Sequence, residues 1–180
     1  TSIPSAVGMN KELAKKKFSE AGLRVPRGIS VSRGEEVGDV VERIKAVVSA
    51  PYVVKPMAGG SSIGLSLAHN DRELVFAIEN ALAHAEKAII EEYVRGREIT
   101  VGVIDAVGGT TAYATPPLEI LLPEGTLFDY DQKYKNLSHP VGPARLHDHE
   151  RCALEQAALT AHSHLGARHY ARYDFILTDE

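Results

Sequence analysis

Residues 52–68 read YVVKPMAGGSSIGLSLA, and this segment decides the fold. A short β-prone run ends at Pro56, a loop rich in glycine and serine follows, and the alternating residues 65–67 predict a second strand. Glycines let backbone amides approach phosphate oxygens, serine hydroxyls add donors, and Lys55 supplies positive charge just before the loop. The segment therefore predicts a strand–loop–strand cradle for a phosphate group, with a flexible hairpin as the alternative.

The loop invites comparison with two known motifs, the Walker A motif of phosphate-binding loops and the G-x-S-x-G motif around a nucleophilic serine. It is not a Walker A motif, because Leu65 and Ser66 follow Gly64 where Lys and Ser or Thr are required. It does match the G-x-S-x-G pattern of serine hydrolases, as Gly60-Ser61-Ser62-Ile63-Gly64. That pattern requires a helix directly after the serine, whereas a strand is predicted here. A serine hydrolase is the main alternative from a different class of function.

The composition is that of an ordinary soluble globular protein. The chain has 180 residues, of which 44% are hydrophobic and 24% charged, and this balance excludes disorder as the main state. A net charge of -4 gives no sign of a nonspecific nucleic-acid or anionic-membrane binder. No apolar run is long enough to span a membrane, and the lone Cys152 cannot form an internal disulfide. We expect a cytoplasmic protein.

Periodicity, caps and turn residues predict four helices and several short strands. The predicted helices cover residues 10–20, 35–48, about 71–85 and 147–165. The predicted strands cover residues 28–31, 52–55, 65–67, 88–94, 98–104 and 169–178, with a hairpin at Gly108-Gly109 and a long functional loop over 123–146. Segregated helices and hairpin-linked strands indicate the α+β class.

Several charged residues lie on or beside predicted strands. Arg172 and Asp174 are two residues apart and therefore share one face of the last strand. Asp174 could bind Mg²⁺ and Arg172 could stabilise an oxyanion, although a surface ion pair is the simpler interpretation. Glu91, Glu92 and Glu98 add carboxylates beside a turn, or form an exposed strand end.

The chain has eight histidines, which invite a metal assignment. His147 and His149, like His162 and His164, are two residues apart in a predicted helix and should point in different directions. No H-E-x-x-H or comparable ligand set is present. We therefore expect these histidines to be solvated helix positions.

A series of motifs, in order along nearly the whole chain, resembles the D-alanine–D-alanine ligases of the ATP-grasp superfamily. The motifs are Met9-Asn10-Lys11, Val53-Val54-Lys55-Pro56, Gly60-Ser61-Ser62-Ile63-Gly64, Ile90-Glu91-Glu92-Tyr93-Val94, Gly96-Arg97-Glu98-Ile99-Thr100-Val101, Pro117-Leu118-Glu119-Ile120, Phe128-Asp129-Tyr130-Asp131-Gln132-Lys133-Tyr134 and Arg172-Tyr173-Asp174. Each motif alone is weak, but their joint order and spacing make a chance match improbable.

The resemblance implies an ATP-grasp fold, with two lobes of mainly antiparallel sheet and helices and the nucleotide between them. Residues 1–10 would end a connection from a preceding domain, 11–90 would form the central ATP-binding lobe, and 91–180 the C-terminal lobe. The implied reaction joins two D-alanines through an acyl phosphate, for peptidoglycan, with ATP and Mg²⁺ or Mn²⁺ as cofactors. A homodimer is one expected state of the full-length enzyme. Another amino-acid ligase and a noncatalytic nucleotide-binding module are the alternatives.

The resemblance also implies roles for individual residues. The implied nucleotide contacts are Lys11, Lys55 and Lys133 at the phosphates, Gly60, Ser61 and Ser62 in the loop closing over them, the backbone of Glu91, Glu92, Tyr93 and Val94 at adenine, and Glu98 at ribose. The implied catalytic and metal residues are Ser61 and Tyr134, which orient substrates, Lys133 at the γ-phosphate, Arg172, which stabilises the tetrahedral intermediate, and Asp174, which binds Mg²⁺.

Two family features have no counterpart in these residues. One is an N-terminal domain that supplies a glutamate partner for Ser61 and Tyr134. The other follows the Arg-x-Asp strand, with the pattern Glu-x-Asn and then Pro-Gly, and carries two further magnesium ligands. With only Asp174 of the metal set, we expect the chain to be a fragment that is not catalytically competent alone.

Overall fold

Two antiparallel sheets with covering helices organise the protein, in a computed structural model that describes residues 10–57, 64–105, 111–121 and 139–179. The elements are α1 (Lys11–Glu20), β1 (Gly28–Ser32), α2 (Val37–Lys45), β2 (Tyr52–Pro56), β3 (Ser66–Ala68), α3 (Asp71–His84), β4 (Lys87–Glu92), β5 (Arg97–Ile104), β6 (Tyr113–Ala114), β7 (Leu118–Leu121), β8 (His139–Val141), α4 (Asp148–Leu165) and β9 (Tyr170–Leu177). The predicted α+β class is confirmed.

The first sheet has the strand order β1-β4-β2-β3, and each neighbouring pair is antiparallel. Helices α2 and α3 cover one of its faces. The apolar stripe predicted for α2 is buried there through Val40, Val41 and Ile44. The helix is shorter than the predicted 35–48, but Val48 still packs into the same core. Hydrophobic periodicity therefore located this helix correctly and overestimated its length.

The second sheet is built around β5, which pairs with β9 along one edge and with β6 and β7 along the other. Its residues Ile99, Val101 and Val103 are buried against α4. Because side chains alternate along a strand, Thr100 and Gly102 face the opposite side. In the register of β5 and β9, Thr100 lies across from Asp174 and Gly102 across from Arg172, so the predicted shared face of Arg172 and Asp174 is confirmed.

Helix α1 contacts both sheets. The side chain of Asn10 accepts hydrogen bonds from the N–H groups of Glu12 and Leu13 at 3.1 and 3.2 Å, which confirms the predicted N-cap. Lys15 reaches Glu91 in the first sheet. The ring of Phe18, one turn further along the helix, packs edge to face on the ring of Tyr173, which belongs to the second sheet. The two ring centroids are 6.3 Å apart. One short helix thus joins the two halves of the fold.

Part of the predicted long loop over 123–146 is a strand. Residues His139–Val141 form β8, which pairs with β7 at the edge of the second sheet. Because Pro140 cannot donate to a ladder, proline argues against a strand in sequence analysis, but an edge strand tolerates it. The rest of that loop, the predicted hairpin at 108–109 and the loop at 58–63 lie outside the described residues.

Several predicted strand ends differ from the structure by one or two residues, and two of them have a local cause. β4 stops at Glu92 rather than 94, because Pro51, which lies opposite Tyr93 and accepts its N–H at 3.0 Å, has no N–H of its own to continue the ladder. β9 begins at Tyr170 rather than 169, because His169 has a positive φ of 69° that no strand residue adopts. Among the described residues, no helix combines the length and apolarity that crossing a membrane requires.

The core of the first sheet provides a test of packing. Ile78 on α3 is fully buried in this core, so replacing it with alanine should lower the free energy of unfolding by about 2–5 kcal/mol. Phe76 lies on the same helix and is 59% exposed, so Phe76→Ala should change stability by less than about 1 kcal/mol. Urea unfolding measures both. Equal effects of the two substitutions would contradict the packing described.

Candidate functional site

A buried carboxylate lies at the centre of the first sheet. Glu91 on β4 is only 2% exposed, and it pairs in register with Val53 of β2 and Gly28 of β1. Its two oxygens meet the ammonium groups of Lys15, at 2.5 Å, and Lys55, at 2.6 Å. A buried charge is costly unless it is paired, and the two lysines supply the pairing. The alternative of an exposed strand end is therefore wrong for Glu91.

Gly28 is the residue that lets β1 pass this close to the carboxylate. A Cβ atom at that position would lie 2.9 Å from the Cα atom of Glu91 and 3.0 Å from its Cγ atom. Real side chains do not approach this closely, so a larger residue would push β1 away from β4. The glycine is thus required by the packing around Glu91.

A third lysine approaches the same carboxylate from α1. The ammonium group of Lys11 donates to the carbonyl oxygen of Met57 at 3.4 Å, directly before the glycine-rich loop. Burial lowers the pKa of Lys11, the charge of Lys55 lowers it further, and the charge of Glu91 raises it. Together, Lys11, Lys15 and Lys55 carry three positive charges against one buried negative charge. The group keeps a net positive charge where the sequence predicts a phosphate cradle.

The carboxylate of Glu92 is engaged within the protein. The guanidinium of Arg27 donates to its Oε2 atom at 2.9 and 3.0 Å, and the backbone N–H of Arg27 donates to its Oε1 atom at 2.8 Å. The side-chain hydrogen bond from Arg27 lowers the pKa of Glu92. The N–H groups of Glu92 and Tyr93 donate to Arg27 O and Pro51 O. An adenine contact from these residues would therefore have to use other backbone groups.

The open face of the second sheet carries the other predicted residues. Asp174 accepts a hydrogen bond from the hydroxyl of Thr100 at 2.8 Å and lies 3.1 Å from the Nε atom of Arg172. The side chains of Arg172 and Asp174 are 72% and 52% exposed, so the pair remains accessible to a ligand. Glu98 lies on the same face of β5 as Thr100, two residues away. Sequence analysis assigned Thr100 no role, because only the strand register places it opposite Asp174.

Asp174 fits one kind of metal site and not another. In the described part of the chain, no three His, Cys, Asp or Glu side chains come together in a way that could hold a metal. Magnesium, however, is commonly bound by one or two carboxylates together with substrate phosphates and water. An exposed carboxylate fixed by Thr100 suits that arrangement. Asp174 therefore fits as one protein ligand of a magnesium ion that also contacts the phosphates of a nucleotide.

The expectation for the histidines is wrong in two places. His162 is 4% exposed, with ring nitrogens 3.1 Å from the hydroxyl of Tyr173 and 3.0 Å from Asp105. The rings of His147 and His149 stack, with centroids 5.7 Å apart, although two helical residues should diverge. His147 precedes the helix with an extended backbone, so helical spacing does not apply to it. The buried partners of His162 come from distant strands and leave no local signal.

The structure thus brings the predicted residues into two groups. Lys11, Lys55 and Glu91 meet on the first sheet, whereas Glu98, Arg172 and Asp174 share a face of the second. Glu92, Tyr93 and Val94 lie at and just after the end of β4. The other predicted residues, Gly60, Ser61, Ser62, Lys133 and Tyr134, lie outside the described residues.

Two antiparallel sheets, each covered by helices on one face and carrying charged groups on the other, form an ATP-grasp fold. Residues 18–180 match the family described as "D-ala D-ala ligase C-terminus", and the chain belongs to that family. The D-alanine–D-alanine ligase of Syntrophobacter fumaroxidans is 38% identical over 98% of this chain and 56% of its own length. The corresponding ligase of Halalkalibacterium halodurans is 34% identical over 98% of this chain and 56% of its own length.

Solved structures agree with this assignment. The D-Ala:D-Ser ligase VanG from Enterococcus faecalis is 32% identical, with a TM-score of 0.87, over 98% of this chain and 50% of that protein. The D-alanine–D-alanine ligase from Bacillus anthracis is 27% identical, with a TM-score of 0.79, over 98% of this chain and 55% of that protein. The chain spans about half the length of the curated relatives it matches.

The lysine cluster, formed by Lys11, Lys15 and Lys55, can be tested by removing only the charge of Glu91. Glu91→Gln keeps the side-chain shape but leaves Lys15 and Lys55 without their counterion, so the free energy of unfolding should fall by about 1–3 kcal/mol. The pKa of Lys11 should fall further, because Glu91 is the charge that raises it. Urea unfolding and an NMR titration of the Lys11 side chain measure the two effects. An unchanged Lys11 pKa would contradict the cluster.

Proposed function

We propose that this chain supplies the ATP-binding lobes of a cytoplasmic ligase that joins two D-alanines in peptidoglycan synthesis. The observation that carries the proposal is the net positive group of Lys11, Lys15 and Lys55 around one buried carboxylate, directly before a loop rich in glycine. Such a group suits a polyphosphate, since several ammonium charges can neutralise it at close range. Membership of the ligase family supports ATP as that polyphosphate.

The proposed reaction has two steps. A carboxylate oxygen of the first D-alanine takes the γ-phosphoryl group of ATP, and ADP leaves. The amine of the second D-alanine then attacks the carbonyl carbon of this acyl phosphate, a proton is lost from nitrogen, and inorganic phosphate leaves. Catalysis of such steps rests mainly on positioning and on neutralising charge.

The two groups of residues would divide these tasks. Lys11 and Lys55 would hold the phosphates from the first sheet, together with the loop residues Gly60, Ser61 and Ser62 and with Lys133. Arg172 presents a guanidinium that could stabilise the oxyanion formed when the amine attacks. Bound magnesium would neutralise phosphate charge during transfer, and Asp174 would hold it.

The adenine, the ribose and the substrates would also have contacts in this chain. Backbone groups of Glu91–Val94 would contact adenine and Glu98 the ribose, with Ser61 and Tyr134 orienting the substrates.

The central lobe would cover 11–90 and the C-terminal lobe 91–180. Because β4 pairs with β1 and β2 as far as Glu92, the strands favour a division just after β4.

A second candidate differs only in the second substrate. The D-Ala:D-Ser ligase VanG matches this chain about as well as the D-alanine–D-alanine ligases do. A ligase that accepts D-serine is therefore the alternative. The serine hydrolase is not supported, because β3 follows the loop and α3 begins only at Asp71.

The nucleotide site is tested by titrating the chain with ADP and Mg²⁺ and measuring the gain in folding stability. The same titration with GDP serves for comparison. We expect ADP at about 100 times its dissociation constant to stabilise the fold by roughly 2.7 kcal/mol. Lys55→Met should weaken ADP binding by about tenfold or more, because a charge-assisted contact to phosphate is lost. Lys45→Met is the matched control, since Lys45 is an exposed lysine of α2 paired with Asp71. Equal ADP affinity of the two variants would refute the phosphate role.

The substrate is tested in a chimaera. The corresponding half of the Syntrophobacter fumaroxidans ligase, which is 38% identical, is replaced with this chain. We expect ATP-dependent phosphate release that requires D-alanine, because this chain and the half that it replaces belong to the same family and should pack in the same way. Release that requires D-serine instead would favour the second candidate. A folded chimaera that binds ATP but releases no phosphate with either amino acid would contradict both.

A further inference from the structure

A buried polar network lies behind β9, on the face opposite Arg172 and Asp174. His162 of α4 is 4% exposed, and its Nδ1 atom lies 3.1 Å from the hydroxyl of Tyr173. Its Nε2 atom lies 3.0 Å from the Oδ1 atom of Asp105, which directly follows β5. The network therefore ties α4 to the following strand β9 and to the residue that follows β5, which is 57 positions away from His162. None of the proposed catalytic steps uses it.

The partners of His162 define how its protons are arranged. The carboxylate of Asp105 only accepts hydrogen bonds, so the Nε2 atom of His162 carries the proton and donates to it. In a neutral imidazole the Nδ1 atom is then an acceptor, and the hydroxyl of Tyr173 donates to it. Every polar group of the network is thereby used. Neutral His162 fits this place without a further partner for its ring.

Asp105 also fixes the beginning of β9. Its Oδ2 atom accepts a hydrogen bond from the N–H of His169 at 2.7 Å. This hydrogen bond, followed by that of His162, lowers the pKa of Asp105. His169 has a φ of 69°, a left-handed backbone that is unfavourable for residues other than glycine, and the bond to Asp105 stabilises it. The network thus holds the chain just before β9, at His169, as well as within the strand at Tyr173.

Tyr173 stands between Arg172 and Asp174 on β9, and its side chain takes the opposite face. Anchoring the hydroxyl of Tyr173 therefore restricts sliding and rotation of the strand, and with it the two exposed side chains. We propose that His162 is a positioning residue, which acts through Tyr173 and Asp105 to hold Arg172 and Asp174 in place for a magnesium-bound nucleotide. This inference rests on the proposed function of these two residues.

The hydroxyl of Tyr173 can be removed without disturbing the packing of its ring. The ring meets His162 edge to face, with centroids 6.0 Å apart, and meets Phe18 of α1 in the same way. Phenylalanine preserves both ring contacts, so Tyr173→Phe isolates the hydrogen bond. Its matched control is Tyr52→Phe, since Tyr52 is a buried tyrosine of the first sheet.

A similar pair of variants tests the imidazole. His162→Gln keeps a polar side chain but cannot bridge Tyr173 and Asp105 in the same geometry. His164→Gln is its control, because His164 is exposed on the same helix and its ring lies 3.0 Å from a local carbonyl, that of Thr160.

The experiment is calorimetric titration of the chain and these four variants with ADP, first in EDTA and then with Mg²⁺. The dissociation constant in EDTA divided by that in Mg²⁺ measures how much the metal strengthens ADP binding, and therefore how well Asp174 receives it. We expect Tyr173→Phe and His162→Gln to lower this ratio about fivefold, while the affinity in EDTA, set by the first sheet, stays the same. Both controls should keep the wild-type ratio. A lower melting temperature with an unchanged ratio would show a purely structural role and overturn the proposal.

The proposed role of Asp174 and the role of the network predict different results. Wild-type protein whose ADP affinity does not respond to Mg²⁺ would remove the proposed function of Asp174, and the role of the network with it. A wild-type response that both network variants retain would remove only the network.

Nitrogen NMR of the wild-type chain decides the matter if the variants do not fold. We expect the ring-nitrogen signals of His162 to shift when ADP and Mg²⁺ bind, because Tyr173 links the ring to the strand that carries Asp174. Signals of His162 that stay unchanged on binding would overturn the proposal.

Discussion

The buried carboxylate of Glu91 is the constraint on which the rest of the structure depends. Strands β1 and β2 enclose it on both sides, so its charge needs partners that can reach it from above the sheet. Lys55 comes from β2 itself, and Lys15 comes from α1, which must therefore lie across this face. On the other side, β1 runs so close to the β4 backbone that a Cβ atom at Gly28 would overlap the carbonyl oxygen of Ile90 and lie 2.9 Å from the Cα atom of Glu91. The charge of Glu91 thus ties α1 to β2 and β4, while Gly28 lets β1 pack beside them.

Helix α1 carries this constraint to the second sheet. Lys15 and Phe18 are three residues apart and so lie on the same side of the helix. The first contacts Glu91, and the second packs against Tyr173, whose neighbours on β9 are the exposed Arg172 and Asp174. The helix is therefore fixed by charge at one sheet and by aromatic packing at the other. This explains how two sheets with separate cores acquire a defined relation to each other.

Local periodicity predicted much of this fold and little of its electrostatics. The four helices, and the shared face of Arg172 and Asp174, follow from repeats of 3.6 and 2 residues that any short segment displays. The burial of Glu91 and His162 does not, because it depends on strands and helices that are brought together only by folding. Strand β8 was missed for the same reason, since it forms by pairing with β7, about 20 residues earlier in the chain. The sequence pattern therefore drew attention to Glu91 and His162 without revealing that both are buried.

The proposed ligand would complete a charge arrangement that the two sheets leave open. The first sheet presents an excess of ammonium groups around Glu91, and the second presents the exposed carboxylate of Asp174. Phosphates match the former, and a divalent cation matches the latter, so a magnesium-bound nucleotide carries both complements in one molecule. Neither half would suffice for transfer of a phosphoryl group, because binding at the lysines alone leaves the γ-phosphate unoriented. The placement of β9 relative to β5 therefore matters as much as the lysine cluster, and the buried contacts of Tyr173 fix that placement.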